Sequence, residues 1–146
     1  MRVLEKCRES KTLLVLDECF LDFLDHAAAH SAKRYIATQF GLLVVKAFTK
    51  LHAMAGLRLG YALCGDQAFL ERMRCSGPPW VVSAPAQAAG IAALREQDYV
   101  ARVRALIRAE RPHLAEGLAA LGCEVIPDEA NFLLFRAPVP LLEALR

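Results

Sequence analysis

Two short apolar runs constrain this chain more than any other feature. Residues 13–16 (Leu-Leu-Val-Leu) end in Asp17-Glu18, and residues 42–45 (Leu-Leu-Val-Val) lead within a few positions to Thr49 and Lys50. Runs this short, closed by charge or glycine, read as fully buried strands of a parallel sheet rather than as helices. A carboxylate at the end of one such strand and a hydroxyl and lysine just past the next would meet at the carboxyl edge of the sheet. That edge is where α/β folds collect their ligands.

The remaining segments support the same architecture. Ser31 is placed to cap a helix over residues 32–40, with Gly41 closing it. Residues 59–64 form a third strand, Gly65-Asp66 a turn, and residues 67–74 a helix. Strands alternating with helices indicate an α/β class. After Cys75-Ser76-Gly77-Pro78-Pro79-Trp80 the texture changes. Residues 84–94 are apolar on nearly every face and predict a buried helix. Residues 97–121 carry Tyr99, Val103, Leu106, Leu114, Leu118 and Leu121 at helical spacing, with Pro112 placed to kink or divide the helix. Residues 123–126 and 131–136 read as strands around a Pro127-Asp128-Glu129 turn, and Val139 starts another helix. The shift near residue 95 sets two units, 1–95 as part of a large domain and 96–146 as part of a smaller one.

Composition narrows the function classes. With 18 basic and 16 acidic residues the net charge is +2, and no basic stripe offers itself to nucleic acid or an anionic membrane. The apolar runs are too short to span a bilayer, and the first residues lack the order of a signal peptide, so a cytoplasmic protein is expected. Five cysteines, Cys7, Cys19, Cys64, Cys75 and Cys123, stand singly without zinc or disulfide spacing and are expected to be reduced. His26, His30, His52 and His113 are scattered, and no metal site is expected. His52 alone falls in a functional-looking segment, where a loop or helix-surface role outweighs acid or base chemistry.

The chemistry concentrates in residues 46–61, Lys-Ala-Phe-Thr-Lys-Leu-His-Ala-Met-Ala-Gly-Leu-Arg-Leu-Gly-Tyr. Lys50 can hold an aldehyde cofactor as a Schiff base, Thr49 and Arg58 can bind a phosphate, and a buried Asp17 can hold a proton on a pyridine nitrogen. Arg58 suits a dianion through paired hydrogen bonds, and Gly56 would let backbone approach closely. A lone Lys-Arg pair around a glycine is more often solvated loop, and Asp17 taken alone could be a turn residue. After four apolar strand residues, however, its burial would be costly unless it were paired. Asn131 fits a structural bridge at a strand start as well as a substrate contact, and Trp80 fits core packing as well as a pocket wall.

Four motifs in order, Asp17-Glu18 with Asp22-Phe23, Thr49-Lys50, residues 55–61 (Ala-Gly-Leu-Arg-Leu-Gly-Tyr) and Ala130-Asn131-Phe132-Leu133, resemble the fold-type I pyridoxal phosphate enzymes of the class I/II aminotransferase group. Within that group they resemble the branch of histidinol-phosphate aminotransferases and threonine-phosphate decarboxylases. The resemblance implies part of the large domain, a mainly parallel sheet flanked by helices, plus the start of the small carboxyl-terminal domain. It implies pyridoxal 5'-phosphate as cofactor, Lys50 as its Schiff-base lysine and the catalytic residue, Asp17 as pyridinium partner, and Thr49 and Arg58 as phosphate ligands. A homodimer acting on a small amino-acid phosphate follows from the same likeness.

Two departures bear on the subfamily. Phe20 stands where aminotransferases of this group usually carry a tyrosine, and with Phe48-Thr49-Lys50 and Pro79-Trp80 it makes threonine-phosphate decarboxylation, in cobalamin side-chain synthesis, the expected reaction. Histidinol-phosphate transamination is the alternative. Ala47 replaces a usual hydroxyl, a loss of about 1–3 kcal/mol of cofactor binding. The family's upstream glycine-rich turn, stacking ring and asparagine, and its downstream carboxylate-binding arginine, have no counterpart here. The expectation is therefore a fragment of a longer enzyme, inactive alone.

Overall fold

The computed structural model describes residues 2–138; the helix expected from Val139 lies outside the described residues. β1 (Leu14–Asp17) runs parallel to β2 (Leu42–Ala47), with Leu14 opposite Leu42 and Asp17 opposite Val45. β3 (Gly60–Cys64) runs antiparallel on the other side of β2, with Lys46 opposite Tyr61. The expected mainly parallel sheet is thus mixed, in the order β1-β2-β3. The cause is the connection between β2 and β3. Residues 48–59 hold only a 3₁₀ turn at Ala55–Leu57, whereas a parallel return needs a crossover that is usually a helix.

The central strand carries the core. Leu42 and Val44 are fully buried, with Leu43, Phe48 and Leu51 nearly so. β1 departs from expectation, because it is half exposed and Val15 keeps 52% of its surface. It has one neighbouring strand, and nothing among the described residues covers its outer edge. Asp17 is exposed too, and the carboxylate that is buried is Glu18, at 7% exposure.

The helix expected over residues 32–40 is only a 3₁₀ turn, Ala32–Tyr35. Ser31 caps as anticipated, its Oγ accepting the Lys33 N–H at 3.1 Å, but the Ile36 carbonyl is pressed against the β3 exit. A Cβ at Gly65 would lie 2.2 Å from that oxygen, so packing there wins over helix continuation. Gly41, at φ 77°, turns the chain into β2, a conformation that glycine adopts without a Cβ penalty.

Five helices complete the described chain. α1 (Arg2–Glu9) and the single turn α2 (Ala27–His30) were not anticipated. α3 (Gln67–Ser76) starts at Asp66, whose Oδ1 accepts the Phe69 N–H at 2.9 Å. α4 (Ala84–Ala93) is capped by Ser83. It buries only Ala86 and Gly90, and Ile91 is left 57% exposed, so its expected burial is not met within the described residues. Its one close face is set by Gly90, where a Cβ would lie 2.5 Å from Leu59 Cδ2. α5 (Gln97–Ala120) is a single helix that Pro112 does not divide. β4 (Glu124–Ile126) and β5 (Leu134–Arg136) form an antiparallel pair beyond it, somewhat shorter than expected.

A buried charge cluster ties these parts together. Lys46 on β2, 7% exposed, donates to both Asp22 oxygens at 2.6 and 2.8 Å and lies 3.8 Å from Glu18 Oε2. Glu18 in turn accepts Ser31 Oγ–H at 2.8 Å and the Ala32 N–H at 2.7 Å. The Asp22 carbonyl accepts the Arg104 fork from α5 at 3.0 and 2.8 Å, and Arg108 pairs with Asp25. Every charge in the cluster has a partner, and removing one partner of a buried pair costs about 3–5 kcal/mol. The Asp22 side chain is 40% exposed and is partly screened, so Lys46→Met is expected at the lower end, about 3 kcal/mol. Urea denaturation of the two proteins side by side measures it.

Candidate active site

Lys50 is delivered by the turn that follows β2. The buried Phe48 anchors that turn, its N–H donating to the Leu59 carbonyl at 3.1 Å and its own carbonyl accepting the Met54 N–H at 3.3 Å. Thr49 is half-buried and Lys50 exposed. The Lys50 ammonium sits over the Phe20 ring, 5.2 Å from its centroid. Asp17 ends the parallel neighbour, and the Glu18 N–H donates to the Val45 carbonyl at 2.9 Å, holding the two strand ends together. The sequence-predicted pair is therefore brought to one sheet edge, as expected.

The electrostatics agree with that placement. Asp17 accepts the Cys19 N–H at 2.9 Å. Its carboxyl is held below the usual range by hydrogen bonds from the Cys19 side chain and then its backbone; burial opposes them, and the charge of Lys50 adds a smaller lowering effect. Cys19 moves the other way, to about 11, through burial first and then through the Asp17 hydrogen bond and charge. Asp17 is thus an anion facing a cation, with Cys19 a protonated donor beside it.

Arg58 leaves the same loop in a left-handed conformation, φ 52°, as does Ala53 at φ 53°. Non-glycine residues held there tend to gather at functional sites. The exposed guanidinium of Arg58 spends one N–H on the Ala55 carbonyl at 3.2 Å, leaving donors for an anion such as a phosphate. Gly56 faces open space, where a Cβ would meet no protein atom within 4 Å. Gly60 is tight by contrast, since a Cβ there would lie 3.0 Å from the Lys46 carbonyl across the β2–β3 pair.

Other expected residues fall elsewhere. Asn131 lines a cavity along α5 with Ile107, Arg111 and Leu114, while its neighbour Phe132 turns to meet Phe20 edge-on at 5.6 Å. Trp80 is 95% exposed at φ 62° and serves neither as core nor as pocket wall among the described residues. A cavity of about 410 Å³ opens between Cys7, Leu13, Phe40 and Phe69, at the amino ends of β1 and β2 and away from Lys50. No group of three or more metal-ligating side chains occurs among the described residues, and no helix among them is long and apolar enough to cross a membrane.

His52, expected on a loop or helix surface, is half-buried between two rings. Its centroid lies 5.3 Å from Phe48 and 6.3 Å from Tyr99 on α5, nearly parallel to the latter at 20°. Burial lowers its pKa, and the nearby Asp22 charge opposes that shift. Sequence reasoning missed this bridge between the Lys50 turn and α5, and it missed the roles of Lys46 and Phe132. Each depends on contacts between segments far apart in the chain.

Comparison with known proteins places this geometry. The model of the aminotransferase class I and II family matches residues 1–145. A histidinol-phosphate aminotransferase from Anaeromyxobacter sp. (strain Fw109-5) is 40% identical over 129 residues, covering 87% of this chain and 35% of the relative. The histidinol-phosphate aminotransferase structure from Clostridium acetobutylicum matches with a TM-score of 0.86 at 28% identity, over 94% of this chain and 42% of that one. That from Sinorhizobium meliloti, in complex with pyridoxal-5'-phosphate, matches with a TM-score of 0.79 at 27% identity, over 94% of this chain and 38% of its own. The chain spans about a third of the length of the curated relatives it matches.

The His52 stack generates a pH dependence with a definite sign. A histidine whose pKa is depressed by folding binds fewer protons in the native than in the unfolded state, so stability rises with pH across the interval between the two values. The contribution is complete above 6.5, the unfolded value, and is lost as pH falls through the depressed native value. His52→Phe keeps the rings and removes the proton, and it should flatten that part of the stability profile. Denaturation midpoints taken between about pH 5 and 8, the range in which histidine titrates, read the difference.

Proposed function

Because the chain belongs to the aminotransferase class I and II family, we propose that its residues build the pyridoxal-phosphate site of a transaminase acting on histidinol phosphate. The observation that carries the reading is the sheet edge itself, with Asp17 ending β1 and Lys50 past β2 brought to one edge by the parallel register. Histidinol-phosphate aminotransferases are among the relatives that match most of this chain, the Anaeromyxobacter protein at 40% identity. They favour that alternative over the expected threonine-phosphate decarboxylase of cobalamin side-chain synthesis, a reading drawn from Phe20 and Pro79-Trp80 that they do not support. Phe20 engages Lys50 through its ring face, and the solvent-facing Trp80 supplies no specificity argument.

Under this proposal each residue has a defined task. Lys50 holds the cofactor aldehyde and, once released, moves the proton at the substrate α-carbon. Asp17 is the anion that keeps a proton on the pyridine nitrogen, and Arg58 and Thr49 bind the phosphate. When bound, the cofactor supplies an electron sink for charge developing at the α-carbon. Asn131, which lines the cavity along α5 rather than the sheet edge, is given no task beside Lys50. Phe20 cannot donate a hydrogen bond toward the cofactor, and Ala47 offers no hydroxyl to its phosphate. The phosphate therefore depends the more on Arg58. A homodimer is the assembly we assign.

The test is a chimera in which residues 2–138 replace the matching span of the Anaeromyxobacter enzyme. Borohydride reduction should fix pyridoxal phosphate on Lys50, and amino transfer from histidinol phosphate to 2-oxoglutarate should exceed carbon dioxide release from threonine phosphate. Lys50→Ala should lower turnover by about 10²–10⁴-fold, the usual worth of a positioned proton carrier. Arg58→Ala should weaken cofactor binding by about 1–3 kcal/mol, the scale of a hydrogen bond to a charged group. A folded chimera labelled at Lys33 or Lys46, or one that decarboxylates without transferring the amine, overturns the proposal.

A further inference from the structure

The contact of Lys50 with Phe20 assigns a second residue to the lysine's work. The ammonium is 5.2 Å from the ring centroid, within the range where the negative face of an aromatic ring attracts a cation. Two further rings hold that platform still. Phe23 stacks on Phe20 at 6.1 Å with planes 28° apart, and Phe132 meets it nearly perpendicular, at 88°. Phe23 is itself buried at 7% exposure. It belongs to the 3₁₀ turn whose Asp22 is clamped by Lys46 from below and by Arg104 through its carbonyl. The ring under Lys50 is thereby tied to the charge cluster beneath the sheet edge.

We propose that Phe20 is the positioning residue for Lys50, its ring face holding the free ammonium beside Asp17 and its orientation set by Phe23 and Phe132. The inference rests on the reading of Lys50 as the cofactor lysine. A lysine that releases a cofactor and must return to it gains from a rest position that orients the amine without a tight hydrogen bond. A ring face attracts the cation, yet its attraction is broad enough to let it leave. Asp17 makes its hydrogen bond to Cys19 and acts on Lys50 only through charge, so the ring is the contacting group. Phe132 adds a link from the segment between β4 and β5, reaching Lys50 through one intervening ring.

Chemical footprinting of the 146-residue chain at low concentration tests this without cofactor or turnover. Acetic anhydride labelling of Lys50, followed by mass spectrometry with Lys11 and Lys33 as internal standards, reads how well the amine is held. Phe20→Leu keeps apolar bulk and removes the ring face, and it should speed Lys50 labelling by about 2- to 5-fold, the factor matching an exposed cation–π contact. Phe20→Tyr keeps the face and should label like wild type, a rescue that a bulk-packing role would not distinguish from leucine. Phe132→Leu should give a smaller increase in the same direction, and it provides the reading if Phe20→Leu does not fold. Equal labelling in all four proteins, or tyrosine behaving like leucine, overturns the proposal. If the footprint behaves as expected while borohydride fails to fix pyridoxal phosphate on Lys50, the platform stands and the cofactor reading falls.

Discussion

The alternation of side chains at the end of β1 is the constraint on which the rest depends. Asp17 and Glu18 are adjacent carboxylates, and the extended backbone sends them to opposite sides. Glu18 turns inward, where Ser31, the Ala32 amide and Lys46 neutralise it. Asp17 turns outward and remains an anion beside Lys50. A slip of one residue in the β1–β2 register would exchange them, placing an unpaired charge in the core and removing the anion from the site. The inward carboxylate thus fixes the register that turns the outward one toward the edge where Lys50 lies.

Much of this is legible in the sequence because local and tertiary signals agree. The apolar run at residues 42–45, bounded by glycine and lysine, has room only in the middle of a sheet, and it forms β2. Asp66 and Ser83 advertise helix starts through their side-chain oxygens, and α3 and α4 begin there. Lys50 and Asp17 pair on sequence grounds alone, because both follow apolar strands. The failures share a cause. Residues 32–40 have a cap and a closing glycine, yet the Ile36 carbonyl pressed onto Gly65 cannot be seen locally. The burial expected of β1 and α4 rests on composition, which reports what a segment would bury if something covered it. Val15, Ile91 and Leu94 remain exposed among the described residues.

That exposure has a physical reading of its own. Val15, Phe40, Trp80, Val81, Ile91 and Leu94 each keep more than half their surface in solvent, apolar area that gains free energy wherever another surface covers it. Trp80 adds a left-handed backbone, which costs a bulky L-residue roughly 1–2 kcal/mol without a compensating contact. The candidate site residues are open in the same way. Asp17, Lys50 and Arg58 are all exposed and form an open edge rather than a cavity, although each is held by backbone or side-chain contacts in a usable orientation.

Rigidity at that open edge comes from aromatic and ionic contacts working on opposite sides of one turn. Below it, Lys46 and Arg104 fix Asp22. Above it, Phe20, Phe23 and Phe132 form a contiguous set of rings, and Phe48, His52 and Tyr99 form a second. The two ring sets approach Lys50 from different partners, the first reaching toward the segment between β4 and β5 and the second toward α5. A displacement of that whole unit would therefore act on Lys50 twice, once through the platform under its ammonium and once through the histidine two residues beyond it. Neither path runs through a hydrogen bond to the lysine. On the proposed reading the amine is left available to the cofactor while its position is set by packing.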